Sequence, residues 1–297
     1  MASIANVYGA LMVATSVASV CGNLLLLLVV ALNKSLRGET WFIGAIATLC
    51  NLSFGFSIVP FGAHNSLSLA WGGSSDRPLC QGCAFLLVLL QLGTLNTVVL
   101  ATTDKFTELC FSLHHAQLFA PKRAVLALGL VWVCSVVGAA CPLVGAGAFS
   151  YGKTKFLCVP TFAPTHMAYS NVLLVVGNVI PILAMVAMCV GVICDGRNKA
   201  LRGTFVGNQQ QFANAGDYFK SAMGMMLSVA CVLVTCSPFL AVCFYETYTG
   251  RSLPPTPDAM IIWFMLSPCA LDPWLNFLTQ KKYRDGLKEC MKKVCGG

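Results

Sequence analysis

Charge is what this sequence has least of. Asp, Glu, Lys and Arg supply only 10% of its 297 residues, against roughly 25% in an average soluble domain. A water-facing globular surface is thereby excluded. Histidine is rarer still, at four residues, two of them the neighbours His114 and His115. No His-x-x-x-His pair and no Gly-x-Ser-x-Gly elbow occurs. Zinc hydrolysis needs ligands one helical turn apart beside an acid, and acyl transfer needs a nucleophile raised on a strained turn. Neither an enzyme nor a cofactor or metal site is expected. Long polar or low-complexity stretches are missing as well, which leaves no room for a second folded domain. Met1–Asn6 has no basic residue, so no cleavable signal peptide is expected. The two Asn-x-Ser sequons, at Asn33 and Asn51, fall on an inner loop and inside an apolar stretch, where glycosylation is not expected.

What the chain has is apolar length. Hydrophobic residues make up 57% of it, gathered in seven stretches at roughly 7–32, 41–66, 82–103, 124–145, 168–194, 221–245 and 259–279. A helix of about 20 apolar residues crosses the hydrocarbon core while satisfying its own backbone hydrogen bonds. The expected fold is therefore an all-α membrane protein, a seven-transmembrane helix bundle over 1–280 followed by a short cytoplasmic amphipathic helix and tail over 281–297. Of the nineteen Lys and Arg residues, only Arg77, Lys153, Lys155 and Arg251 fall on one side of such a bundle. The positive-inside rule makes the other side cytoplasmic, with the N-terminus extracellular. The formal charge of +8 is then a rim facing anionic membrane lipids rather than a nucleic-acid signature. In the tail, Tyr283, Leu287, Cys290, Met291 and Val294 recur at helical spacing among basic residues, as in an interfacial helix. Cys290 and Cys295 are candidate palmitoylation sites, or simply free thiols.

Most of the sixteen cysteines lie within spans, where a thiol is a small apolar filler. Cys80, Cys83 and Cys158 are the best outside candidates for the one or two bridges an oxidising exterior permits.

The punctuation within the spans resembles that of the rhodopsin-like (class A) G-protein-coupled receptors. Span 1 carries Gly22-Asn23, and span 2 carries Asn51 and Pro60. Span 3 opens at Cys80 and closes on Asp104-Lys105-Phe106, spaced as the family spaces its cysteine and its Asp-Arg-Tyr motif. Spans 4 and 5 hold Trp132, Pro142 and Pro181. Span 6 has Thr235-Cys236-Ser237-Pro238 for the family's Cys-Trp-x-Pro. Span 7 has Asp272-Pro273-Trp274-Leu275-Asn276 for Asn-Pro-x-x-Tyr. Each motif alone is weak; seven in order cover nearly the whole chain. The departures resemble those of some orphan receptors.

The resemblance implies several roles. Cys80 would bridge to the second outer loop, whose cysteine is Cys158, with Cys83 as the competitor. Asp104, Lys105 and Phe106 would meet a heterotrimeric G protein, with Lys105 replacing the family's Arg and losing its planar fork. The family's acid at the foot of span 6 aligns with Tyr218, and the nearest acid is Asp217. Asp272, the one acid well inside the membrane, would join Asn23, Asn51 and Asn276 in a polar network, because an intramembrane carboxylate needs partners. Sodium regulation is doubtful, since Asn51 stands where relatives have Asp. Pro60, Pro142, Pro181, Pro238 and Pro273 would kink their helices. Leu87, Gln91, Leu173, Phe239, Leu240 and Ile262 would line a ligand pocket suited to an apolar or lipid-like ligand, and Leu87 at the amine-receptor Asp position argues against a monoamine. Leu266 at the retinal-attachment position argues against a light sensor. Cys236 and Asn276 replace two aromatic switch residues, which fits either signalling without ligand or a non-coupling decoy or partner-binding receptor. A transporter or channel using Asp272 is a further reading, and a receptor dimer stays open.

Overall fold

In a computed structural model the chain forms eight long helices, a short helix over Ser112–Leu118 and one hairpin, described for residues 2–68, 78–152, 156–202 and 215–295. Arg77, Lys153 and Lys155, and the side chains of Asp217, Lys293, Val294 and Cys295, lie outside the described residues. The long helices are α1 (Ala2–Leu32), α2 (Trp41–Ser68), α3 (Pro78–Cys110), α4 (Pro121–Val144), α5 (Pro164–Leu201), α6 (Ala215–Thr249), α7 (Pro255–Thr279) and α8 (Lys281–Cys295). Among the described residues, the first seven are long and apolar enough to cross a membrane. Several run past the apolar stretches read from sequence, α3 and α5 most of all, because helix geometry continues after hydrophobicity stops. Four begin on a proline, whose fixed φ suits a first turn and whose missing N–H would be unpaired there anyway.

The spans close into a ring, with α1 packed on α2 and α7, α5 on α6, and α6 on α7. α3 runs through the middle and touches α2, α4, α5 and α6. Outward faces stay apolar: Leu126 and Val133 of α4 are 65% and 61% exposed, as lipid-facing positions must be. Small residues let helices approach, as expected where packing rather than water exclusion drives association. A Cβ on Gly22 of α1 would come within 2.7 Å of the Pro273 ring of α7.

The prolines do not all bend their helices where expected. α2 is interrupted at Ser57, one turn before Pro60. Before Pro181, residues Val172–Val179 widen into π-type turns, and the Asn178 amide donates to the Leu173 carbonyl at 2.7 Å. α6 passes through Pro238 without a break. Pro142 does not kink a continuing helix but ends one: regular α-helix stops at Ala140, and Cys141–Val144 forms a tight last turn closed by Gly145 at φ +90°. Pro273 likewise lies inside an unbroken segment, and the interruption in α7 falls at Ser267, just before Pro268. The sequence reading took Pro273 from the family landmark and overlooked Pro268.

Between α4 and α5 the chain makes a short antiparallel hairpin, β1 (Phe149–Tyr151) and β2 (Cys158–Pro160). Its register pairs Phe149 with Pro160 and Tyr151 with Cys158. The hairpin marks one end of the bundle and α8 the other.

Candidate functional site

At the hairpin end, Cys158 is bonded to Cys80 at the start of α3, and Cys83 is a free thiol. This bridge anchors β2 over the bundle and aims its neighbours inward. Leu157 is 3% exposed and packs in one core with Tyr8, Leu87, Ile262 and Met265. Phe156 stacks on Tyr8, ring centroids 4.9 Å apart, while its carbonyl accepts from the Asn65 amide at 3.0 Å. Phe162 meets Phe239 edge-on at 6.2 Å and packs against the clusters that hold Leu173 and Leu240. Thus the apolar residues expected to line a ligand pocket fall in three packed clusters, with Leu157 in the one that holds Leu87 and Ile262 and Phe162 against those that hold Leu173 and Leu240. Gln91 sits deeper, its amide 3.9 Å from the Cys236 thiol.

Half-way down lies a cavity of about 40 Å³, lined by Asn51, Gln91, Thr94, Cys236 and Asp272 among others. At roughly 10–15 Å³ per water, that is space for a few waters. The Asn51 amide donates to the Asp272 carboxylate at 3.0 Å. Asn23, expected to join them, does not reach the carboxylate. Its amide donates to the carbonyls of Ser19 and Cys269 at 2.8 and 2.9 Å, and the Ser19 hydroxyl donates to the Asn51 carbonyl at 2.9 Å. Asn23 is thus a splice between α1 and α7, one step removed from the acid. Asn276 is turned away too: its amide donates to the Asp272 backbone carbonyl, and its carbonyl accepts from Gln280.

At the α8 end, Asp104 and Lys105 do not pair with each other. Successive residues on a helix point about 100° apart, so each finds its own partner. Asp104 is buried, its carboxylate accepting from the Thr40 hydroxyl at 3.0 Å and lying 2.9 Å from His115 Nε2. Lys105 pairs with Glu108, one helical turn on. Phe106 lies against Gly191 of α5, where a Cβ would come within 2.8 Å of its ring. Lys282 of α8 is pulled below the usual lysine range by burial of part of its stem and by the nearby Lys105 charge, with Glu108 and Asp104 opposing. The residue as a whole is exposed, so screening keeps that effect small.

A second polar cluster joins α3, α5 and α6. The Tyr218 hydroxyl lies 2.9 Å from the Asp195 carboxylate and 3.1 Å from the Val192 carbonyl. Lys199 pairs with Asp195 at 2.7 Å and donates to the Leu109 carbonyl at 2.8 Å.

α8 docks on α1 and α7 through Cys290, which is 6% exposed, and through the half-buried Tyr283 and Leu287. Met291, counted with that face in sequence, is 51% exposed; the packed stripe is narrower than the spacing suggested. The Cys290 thiol accepts from the Asn33 amide at 3.2 Å. Cys290 is thus a packing residue against α1 while α8 stays docked.

Sequence reasoning missed Leu157, Phe162, Asp195, Lys199, His115 as a partner of Asp104, and the hydroxyl of Tyr218. One signal was available: Asp195 and Lys199 are spaced i, i+4 at the end of a span, where a charged pair needs a reason.

The family model for "7 transmembrane receptor (rhodopsin family)" matches residues 22–275. Over 268 residues the chain is 21% identical to G protein-coupled receptor 161 of Bos taurus, covering 81% of this chain and 50% of that one. It is 23% identical to the histamine H2 receptor of Canis lupus familiaris over 279 residues, covering 92% and 76%. Melatonin receptor type 1A of Gallus gallus is 28% identical over 183 residues, covering 60% and 49%. The chain therefore spans about half the length of the first and third of these relatives. Among solved structures, squid rhodopsin superposes with a TM-score of 0.85 at 16% identity, covering 99% of this chain and 87% of that one. At that identity the likeness speaks for the fold.

Proposed function

The chain belongs to the rhodopsin family of seven-transmembrane receptors, and from that premise we propose that it carries a signal from the hairpin end of the bundle to a heterotrimeric G protein at the α8 end. In this reading the hairpin end is extracellular, the α8 end is cytoplasmic, and the membrane is the plasma membrane. The observation that carries it is the end of α3. Lys105 is about a third exposed near the start of α8, where its charge acts on Lys282, and among the described residues it pairs with Glu108 of its own helix in an exchangeable, partly solvated ion pair. Asp104 is held apart by Thr40 and His115, so Lys105 is available to a partner's carboxylate or helix C-terminus. Signalling is then a shift between closed and open arrangements of one bundle.

The packing at the hairpin end bears on the stimulus. With Leu157 and Phe162 packed among the pocket residues, the receptor suits signalling without a diffusible ligand. An apolar or lipid-like ligand would have to displace those side chains. The named amine of the histamine relative is not favoured, because Leu87 is a buried apolar residue in the core that Leu157 fills. The second reading, a receptor that binds partners without coupling, is favoured by Cys236 and Asn276, which offer a thiol and an amide where relatives place large aromatic switches.

Ligand-free signalling separates the two. The receptor is expressed, its surface level measured, and activation read across a panel of Gα subunits beside Lys105→Ala. A basal signal that falls several-fold in the variant at equal surface level supports coupling through Lys105. Silence across the whole panel at good surface level favours the non-coupling receptor.

A further inference from the structure

We propose that Asp195, Lys199 and Tyr218 form the latch that keeps the α8 end closed, a role that Asp104 and Lys105 do not fill in this chain. The proposal rests on the receptor reading above, but its geometry is independent of any G protein.

Tyr218 sits in the first turns of α6 and is 2% exposed. Its ring lies against Gly196 of α5, where a Cβ would come within 3.0 Å, so the absence of a side chain there creates the slot. Its hydroxyl has one proton, with the Asp195 carboxylate and the Val192 carbonyl of α5 within hydrogen-bond distance and the Cys110 thiol of α3 beside them. α6 is therefore tied to α5 by a part-buried bond to a charged group.

Lys199 completes the device. Its ammonium neutralises Asp195, lies 5.2 Å from the Tyr218 ring centre, and donates to the Leu109 carbonyl of α3. Leu109 is in the last turn of α3, where carbonyls have no partner within the helix and a cation is favoured. One α5 pair thus holds two neighbouring helices at once, α6 through Asp195 and α3 through Lys199. Around it Leu109, Val192, Ala222 and Met225 make a small apolar cluster that limits water. In a partly dry setting each of these bonds is worth more than on an open surface.

If α6 moves outward, Tyr218 must leave its slot, and Asp195 then exchanges the Tyr218 hydroxyl for water while Lys199 keeps its bond to the Leu109 carbonyl. The closed state therefore depends on the hydroxyl in particular. Removing a hydrogen bond to a charged group should shift the ratio of open to closed bundles by about tenfold.

The test uses the full chain in nanodiscs, with spin-labelled non-canonical amino acids at Lys122 and Lys220, because the many free thiols rule out cysteine labelling. Double electron–electron resonance then reports the separation of α4 and α6, alongside basal Gα activation in cells. In Tyr218→Phe the ring still fills the slot, and the long-distance population should rise about tenfold relative to the short one. If basal signal rises with it, latch and coupling both stand. If the distance shifts while the signal stays silent, the latch stands and the coupling reading fails. An unchanged distance distribution overturns the latch whatever the signal does. Should Tyr218→Phe fail to reach the membrane, Asp195→Asn, which keeps size and removes the charge, is read in the same way.

Discussion

The two ends of the bundle are held by different kinds of interaction. The hairpin end is closed by a covalent bridge, Cys80–Cys158, and by apolar side chains, with Leu157 in a cluster drawn from α1, α2, α3 and α7 and Phe162 against clusters drawn from α3, α4, α5 and α6. The α8 end joins two small apolar clusters to a set of polar contacts, each between two or three atoms: Asp104 with Thr40 and His115, Tyr218 with Asp195, Lys199 with Leu109. Apolar packing is lost in proportion to the area uncovered, so it has no cheap half-way state. A hydrogen bond at the rim can be exchanged for one to water at a small net difference. One end is therefore built to stay, and the other to have two arrangements.

That contrast makes graded predictions. Cys158→Ser should have the largest effect, since the bridge closes a long loop and such bridges contribute about 2–4 kcal/mol. Surface delivery should fall steeply and the melting temperature of the purified protein should drop; normal values for both would mean the hairpin end is held without its bridge. Leu157→Ala follows, at about 2–4 kcal/mol for a buried leucine whose surroundings collapse only in part. It should also leave room among Leu87, Ile262 and Met265, so melting in the presence of small apolar compounds should recover stability that the wild type does not gain. A variant that melts like the wild type would put Leu157 outside the core.

Asn51→Ala comes next, removing the amide that donates to Asp272. A carboxylate that loses a buried donor should cost about 1–3 kcal/mol, read as a lower melting temperature. Asn23→Ala should cost stability without the same dependence on Asp272, because its amide bonds backbone carbonyls instead. A double-mutant cycle with Asp272→Asn checks this: strong coupling of Asn23 to Asp272 would contradict the separation seen here. Lys105→Ala should be the mildest for stability, within about 0.5 kcal/mol for a partly exposed ion pair. Its signal should nonetheless fall several-fold, and a variant that lost stability and signal together would make Lys105 structural.

How far sequence reached differs along the same chain. The spans were legible because a membrane helix is defined by the composition of a contiguous stretch. The landmark residues were legible through family resemblance, and they point to the right regions: Asn51 does meet Asp272, and Cys158 does meet Cys80. Resemblance misled where this chain has replaced a residue and rewired its surroundings. Asp104 and Lys105 are adjacent in the motif, but helix geometry turns them apart, and Thr40 and Glu108 supply the partners. Cys290 looked accessible on a basic, amphipathic tail, yet the face it shares with Tyr283 and Leu287 is the one that docks on α1.

By itself, then, the sequence determined the number of spans, the side on which positive charge collects, and the short list of cysteines able to bridge. These follow from local hydrophobicity and from the cost of carrying charge through hydrocarbon. Only the tertiary structure decided that Leu157 packs against Leu87 and Ile262, that α7 breaks at Ser267 rather than at Pro273, and that Tyr218 finds Asp195. Those contacts join residues far apart in the chain, and each depends on the rotation and axial position of two helices. A rotation of one residue position, about 100°, would have sent the same side chains to lipid.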